Sequence, residues 1–308
     1  MPESIVRYFR FIRPFTLLVP ALGMVCGALM GLSADPKGVS DWSPGAETIV
    51  LRIVAGAVLA AALNAFSNGL NQIFDQEIDR INKPHRLLPS GRISGPEAWC
   101  LSLAFLVIAL LLAAWINLQC FFVVLAGALG TVLYSVPPIR TKSRGIWANL
   151  TIALVRGTLL PVAGWSTVKH VLQPETWILG AILGAYFLGA VTTKDFSDVE
   201  GDRRGGCRTL PVIYGVQRSI RIIAPFFVLP FLALVPGAVY GLLSGRPSLL
   251  AGLGLLLAGW GGWIILLLVR SSQEWEGNLE WENHPSWRQM YLLTLTAYIG
   301  LASAYLLR

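Results

Sequence analysis

The chain has 308 residues, 55% hydrophobic and 13% charged, with a formal net charge of +7. An ordinary soluble domain is about 25% charged, so this composition excludes a free-standing soluble fold and favours a membrane protein. The basic residues are interleaved with carboxylates at the ends of apolar runs, which excludes nucleic-acid binding and points to lipid phosphate or a phosphorylated ligand.

The runs 14–34, 53–74, 98–139, 176–193, 222–245, 247–269 and 289–307 contain no Asp, Glu, Lys or Arg. A spanning helix needs about 20 mostly apolar residues. The run 98–139 is long enough for two, with a break near Asn117, and 145–168 makes another interrupted only by Arg156. The expectation is a single polytopic domain over 1–308: an all-α membrane protein with nine transmembrane helices.

Helix one (about 14–34) begins after Arg7, Arg10 and Arg13 and is too long for a signal core. A polar loop from Asp35 to Glu47 follows. Helix two (about 50–74) ends in Asn68, Asn71 and Asp75, and the loop 80–96 is broken by Pro84, Pro89 and Gly91. Helices three and four (about 98–116 and 119–135) are nearly featureless and suit lipid contact. They lead to Tyr134-Ser-Val-Pro-Pro-Ile-Arg-Thr-Lys142, an extended turn. Helix five (about 146–166) holds Arg156 near mid-depth, where a charge pairs internally with a carboxylate of an acidic motif or with a bound anion. Helix six (about 176–194) precedes a second acidic stretch. Helices seven to nine (about 222–243, 248–269, 289–307) close the chain. In the loop 271–288, Trp275 and Trp281 read as interfacial anchors and the glutamates as a solvated face.

Of the 24 Lys and Arg, 18 fall on one side of this topology, five on the other and Arg156 within a span. The rich side is expected in the cytoplasm of the cell's inner membrane, with the amino terminus in and the carboxyl terminus out. Cys26, Cys100, Cys120 and Cys207 lack metal-site spacing and read as small apolar filler.

Asn71, Asp75 and Asp79 are four apart, which stacks them on one helix face. Asp198 and Asp202 repeat the spacing, with Asp195 one turn earlier. Both motifs emerge on the same side, each after an uncharged span. Four helices separate them, which suggests two related four-helix units plus a ninth helix. Clustered Asp and Asn oxygens beside Lys and Arg describe a metal-bridged phosphate site suited to Mg²⁺, with two acidic faces neutralising a diphosphate. There is no nucleotide P-loop and no zinc spacing. A cation-coupled transporter is the competing class, but it needs carboxylates near the bilayer midplane.

At these residues the chain resembles the UbiA superfamily of intramembrane prenyltransferases. The motifs are Asn71-x-x-x-Asp75-x-x-x-Asp79 followed by Asn-Lys-Pro-His-Arg, and Lys194-Asp-x-x-Asp198-x-Glu-Gly-Asp202-Arg followed by Thr-Leu-Pro-Val-Ile-Tyr-Gly. The resemblance implies nine helices around a central cavity, opening laterally to lipid. It also implies Mg²⁺-dependent transfer of a polyprenyl group from its diphosphate to a lipophilic or aromatic acceptor. Asn71, Asp75, Asp79, Asp198 and Asp202 would hold the metal and diphosphate, with Asn68 assisting. Arg86, Arg92, Lys142 and Lys194 would contact phosphate oxygens, and Tyr134 would steady the allylic cation. The expected acceptor is an aromatic quinone precursor, with Arg156 binding its acidic group. Geranylgeranylglyceryl phosphate and a chlorophyllide-type acceptor are the alternatives.

Overall fold

A computed structural model describes residues 3–34, 46–273 and 284–308. Most of the Asp35–Glu47 loop, and Trp275, Trp281 and the glutamates expected beside them, lie outside the described residues. The helices are α1 (Glu3–Phe11), α2 (Pro14–Ser33), α3 (Ala46–Phe74), α4 (Gln76–Asn82), α5 (Gly95–Ile116) and α6 (Leu118–Ser135). They continue with α7 (Ile146–Ser166), α8 (Pro174–Ala190), α9 (Val199–Arg204), α10 (Leu210–Tyr214) and α11 (Val216–Val239). The last two are α12 (Pro247–Gln273) and α13 (Pro285–Leu306).

Eight of these segments are long and apolar enough to cross a membrane, so the protein is an integral multi-pass membrane protein. The segment expected as the ninth span, α13, is a 22-residue helix but is not among the eight. Arg288, Gln289 and its Thr, Ser and Tyr residues dilute its hydropathy. It still buries Leu293, Ala297, Tyr298, Leu301 and Tyr305 and packs on α2 and α12.

Local chemistry sets the helix ends. Ser94 and Glu97 form a capping box at the start of α5, each satisfying an orphan N–H of the other. The expected break falls at Asn117, whose backbone is extended. Its Oδ1 accepts from Cys120 N at 2.8 Å and its Nδ2 donates to Ser166 O at 2.7 Å, so one residue caps α6 and ties that turn to the end of α7. Two features depart from the sequence reading. Residues before helix one form a further amphipathic helix, α1, and α11 begins at Val216 rather than near 222, carrying Pro225 and Pro230 inside it. α1 lies over the loop after α4. Arg7 Nη2 and Tyr8 OH donate to Glu97 at 3.1 and 2.9 Å, and Phe11 is buried with Leu87, Leu88, Ile93 and Ala98.

The main core gathers α2, α7, α8, α11, α12 and α13 around Trp165, Tyr186, Phe227, Phe231 and Tyr298. Without a hydrophobic drive between spans, small residues allow close packing in the membrane. α2 crosses α7 at Gly27 and Gly164. A Cβ on Gly27 would collide with Pro161 O and lie 3.1 Å from Gly164 Cα. Next to this crossing α7 widens into a π-helical turn, Ala153–Leu159.

Gly27→Val is therefore expected to force the two backbones apart and destabilise the protein by about 1–3 kcal/mol, the usual scale of overpacking. A clear fall in the thermal midpoint of the detergent-solubilised protein checks this; an unchanged midpoint refutes the close crossing.

Candidate active site

Both acidic motifs are built the same way. In each an Asp takes the N-cap position of a short helix, without a capping bond from its side chain, and a second Asp follows one turn on. Asp75 has φ −105° and ψ 15°, and Asp198 has φ −108° and ψ 5°. The hydrogen-bond ladder continues through each kink: Asp79 N to Asp75 O at 2.8 Å, and Asp202 N to Asp198 O at 2.9 Å. The four-residue stacking is thus retained although neither motif lies on one straight helix.

The two short helices are laced together. Asn82 Oδ1 accepts from Gly201 N at 3.0 Å and Asn82 Nδ2 donates to Asp198 O at 3.2 Å. Lys83 Nζ meets Asp198 Oδ1 at 2.7 Å. Gly201 is required here, because a Cβ would overlap the Asn82 amide. Motifs more than 100 residues apart in sequence therefore form one site.

Asp75, Asp79 and Asp202 are buried and Asp198 is half-buried, and a buried charge must be paired. Asp79 takes Arg86 at 2.5 Å. Asp75 takes Arg140 at 2.8 Å, Lys142 and the Asn71 amide. Burial alone would raise the Asp75 pKa, but Lys142 and Arg140 outweigh it and hold the group below its usual range. Asp202 differs. It is 2% exposed, and burial, with Asp198 nearby and Lys142 opposing, pushes it up to about 6. No hydrogen-bond donor reaches its carboxylate among the described residues.

Among the described residues no three His, Cys, Asp or Glu side chains converge closely enough to hold a metal as they stand; Lys83, Arg86, Arg140 and Lys142 occupy the carboxylates instead. The donor set nonetheless fits Mg²⁺: all hard oxygens, with an under-neutralised carboxylate at Asp202.

The site opens on a chamber of about 230 Å³ lined by Asn68, Asn71, Tyr134, Arg156 and Lys194. A second, more apolar cavity of about 190 Å³ shares Thr16, Ser67, Thr131, Arg156, Phe187 and Trp287 with it and reaches Met24, Leu59, Val124 and Ala163. Lys194 Nζ donates to Tyr134 OH at 3.0 Å and lies 5.4 Å from the ring centre. Arg156 sits in the π-helical turn and lines both cavities. No carboxylate pairs with it among the described residues.

The structure thus brings together Asn68, Asn71, Asp75, Asp79, Tyr134, Lys142, Lys194, Asp198, Asp202 and Arg86 at one end of the bundle, with Arg156 deeper on the chamber wall. Arg92 stands apart: it is exposed and donates to Ser90 Oγ and His85 O within its own loop. One residue escaped the sequence reading. Arg13, counted only as basic flank, lines the chamber, and its Nη2 is buried without a partner. Burial pushes its pKa down to about 10, with Arg86 acting the same way and Asp79 and Asp75 opposing. The Arg-Pro pair before an apolar run was its visible signal, but its backbone turn was not.

These features define a polytopic helical membrane protein with a charged site above an apolar gallery. The chain belongs to the UbiA prenyltransferase family, which it matches over residues 24–281. It is 30% identical to the bacteriochlorophyll synthase 34 kDa chain of Chloroflexus aurantiacus, over 82% of this chain and 78% of that protein. It is 32% identical to homogentisate phytyltransferase of Synechocystis, over 79% of each, and 30% identical to chlorophyll synthase of Arabidopsis thaliana, of which it spans only 59% while 76% of this chain is matched. Its fold matches a UbiA homologue from Archaeoglobus fulgidus bound to GPP and Mg²⁺, with a TM-score of 0.68 at 22% identity, covering 97% and 99% of the two chains. A structure of digeranylgeranylglyceryl phosphate synthase matches with a TM-score of 0.66 at 26% identity, covering 97% and 99%.

Asn82→Ala should unlace α4 from α9 at a cost of about 1–3 kcal/mol, the price of unpaired buried backbone groups. Hydrogen exchange would then rise at residues 76–82 and 199–204 and stay constant in α12. Unchanged exchange in both short helices would refute the lacing.

Proposed function

We propose that the protein transfers a polyprenyl group from its diphosphate to an aromatic quinone precursor within the membrane, with Mg²⁺. The observation that carries this reading is the meeting of both acidic motifs, with their cations, at the mouth of an apolar chamber. Asn71, Asp75, Asp79, Asp198 and Asp202 would hold Mg²⁺ and the diphosphate. When bound, the metal supplies Lewis-acid stabilisation of the leaving oxygens. Arg86 and Lys142, now paired with Asp79 and Asp75, exchange those carboxylates for phosphate oxygens. Arg13 and Lys194 already face the chamber. Arg92, turned into its loop, contributes least.

The gallery receives the prenyl chain. From Asn71 to Leu59 on α3 is twelve residues, or about 18 Å of helix rise, so several isoprene units fit below the charged end. Tyr134 lies where the chain enters and steadies the allylic carbon through its ring or hydroxyl. The apolar walls keep water from that cation. Arg156, between the two cavities, holds the acceptor's acidic group near Phe187 and Trp287.

A second reading, a chlorophyllide-type acceptor, draws support from the bacteriochlorophyll synthase matched over most of both chains; geranylgeranylglyceryl phosphate draws support from the fold match above. Product mass spectrometry with each acceptor class and geranylgeranyl diphosphate separates the three. A transporter is disfavoured because the carboxylates sit at helix ends. We place nine spans in two four-helix units plus α13, with the charged end cytoplasmic. In a cysteine-free background, cysteines within 35–47 should label from outside cells and those within 84–92 only after permeabilisation; the reverse pattern overturns the orientation.

Asp75→Asn and Asp198→Asn are each expected to lower kcat/KM by about 100-fold or more, the scale of losing one charge-stabilising group; Asp75→Asn, which strips Arg140 and Lys142 of their buried partner, also lowers the thermal midpoint, whereas Asp198→Asn, at a half-buried position, leaves it little changed. Full Mg²⁺-dependent diphosphate release by both variants would remove the site assignment.

Arg156→Leu should raise KM for the acceptor by about 10-fold or more, the loss of one charge-assisted contact, and leave KM for the prenyl diphosphate within twofold. An effect on the prenyl diphosphate alone would move Arg156 to the other substrate.

A further inference from the structure

Asn64, Asn68 and Gln72 form a row on α3 at four-residue spacing, facing the junction of α1 and α2. We infer that this row is a positioning device that holds Arg13 in the chamber to grip the anionic end of the prenyl diphosphate, an inference that rests on the reading above. It reassigns Asn68 from ligand contact to positioning.

The junction cannot hold itself. Arg13 adopts a left-handed backbone, φ 54° and ψ 69°, which costs a non-glycine residue about 1–2 kcal/mol. That turn separates α1 from α2 and throws the guanidinium sideways. It also strands carbonyls. Thr16 N turns back to Arg13 O at 2.9 Å and leaves Ile12 O without its helical donor. Residue 20 is proline, so Thr16 O lacks one too. The α3 row supplies the missing donors. Gln72 Nε2 donates to Phe11 O at 2.9 Å, Asn68 Nδ2 to Ile12 O at 2.9 Å and Thr16 Oγ1 at 2.8 Å, and Asn64 Nδ2 to Thr16 O at 3.1 Å. Thr16 Oγ1 in turn donates to Arg13 O at 2.8 Å. Both donors of the Asn68 amide are thereby used on the junction.

What the row presents is a cation whose Nη2 finds no hydrogen-bond partner among the described residues. Arg13 Nη2 is buried and unpartnered, and the side chain shares the chamber wall with Asn71, Tyr134 and Lys194. Satisfied carbonyls alone would be served by a continuous helix; the kinked form persists with a buried guanidinium aimed at the site where phosphate oxygens are required.

The test is a double-mutant cycle on purified full-length protein, measuring Mg²⁺-dependent binding of geranyl diphosphate and KM for both substrates. Arg13→Met and Asn68→Leu should each weaken geranyl diphosphate binding by about 10-fold, the scale of one charge-assisted hydrogen bond. Thr16→Val, a milder change that still folds if Asn68→Leu does not, should weaken it in the same direction, with acceptor KM unchanged. The decisive result is that Arg13→Met/Asn68→Leu binds no worse than Arg13→Met alone. Losses that add in the double variant overturn the inference, as does wild-type binding by both Asn68→Leu and Thr16→Val, or an equal rise in acceptor KM. If wild-type protein and Asp75→Asn both fail to bind, the prenyl diphosphate reading falls and takes the inference with it.

Discussion

The pairing of buried carboxylates with cations at one end of the bundle is the constraint on which the rest depends. Taking a carboxylate out of water costs several kcal/mol, and only good geometry with a partner offsets it. Asp75 meets that demand with Arg140, Lys142 and Asn71, Asp79 with Arg86, and Asp198 with Lys83. These pairs reach across the chain. Lys83 bonds α4 to the α9 motif, and Arg140 and Lys142 bond the α6–α7 turn to the end of α3. These ion pairs thus assemble the acidic site from three distant segments. They keep it soluble in its own apolar surroundings until a ligand supplies other partners.

The apolar half answers a different requirement. An allylic cation survives only where water is absent, and the two connected cavities narrow from a polar wall to Met24, Leu59 and Val124. Close packing at Gly27 and Gly164 brings α2 and α7 together beside the apolar cavity. The π-helical turn in α7 is where this regularity is given up. It inserts Arg156 between the chambers, and such turns concentrate at functional positions. Asn149 steadies its start by donating to Leu188 O and Thr192 Oγ1 at 2.8 and 2.6 Å.

How much of this could be read beforehand follows from range. Spacing within one segment was legible: the rows Asn71–Asp75–Asp79 and Asp198–Asp202, the break at Asn117, the lone charge Arg156. Membrane class and the spans followed from composition, because lipid imposes a length and a polarity on every crossing. What stayed hidden depends on contacts between segments. Nothing in the sequence says that Lys142 turns to Asp75, that Arg92 folds onto its own loop, or that Asn82 laces α4 to α9. Asn68 shows the limit most clearly. Its place in the motif suggested a ligand contact, while the structure spends its amide on the α1–α2 junction. Arg13 was hidden for the same reason, since a left-handed residue before Pro14 has no local signature in an arginine.

The two halves of the molecule use one backbone device for opposite ends. Arg13 precedes the first span and Arg140 the fifth, and they are the two non-glycine residues with positive φ among those described, at 54° and 36°. The acidic motifs that follow each of them share their kink as well, at Asp75 and Asp198. The correspondence lies in the backbone and not in the side chains that flank it. Its chemical consequence is an asymmetry. Arg140 donates to Phe74 O and Asp75 Oδ1, so its charge is already committed to the first motif. Arg13 has no such partner and faces the chamber. The same backbone turn thus carries one cation that pairs within the acidic site and one that faces the chamber.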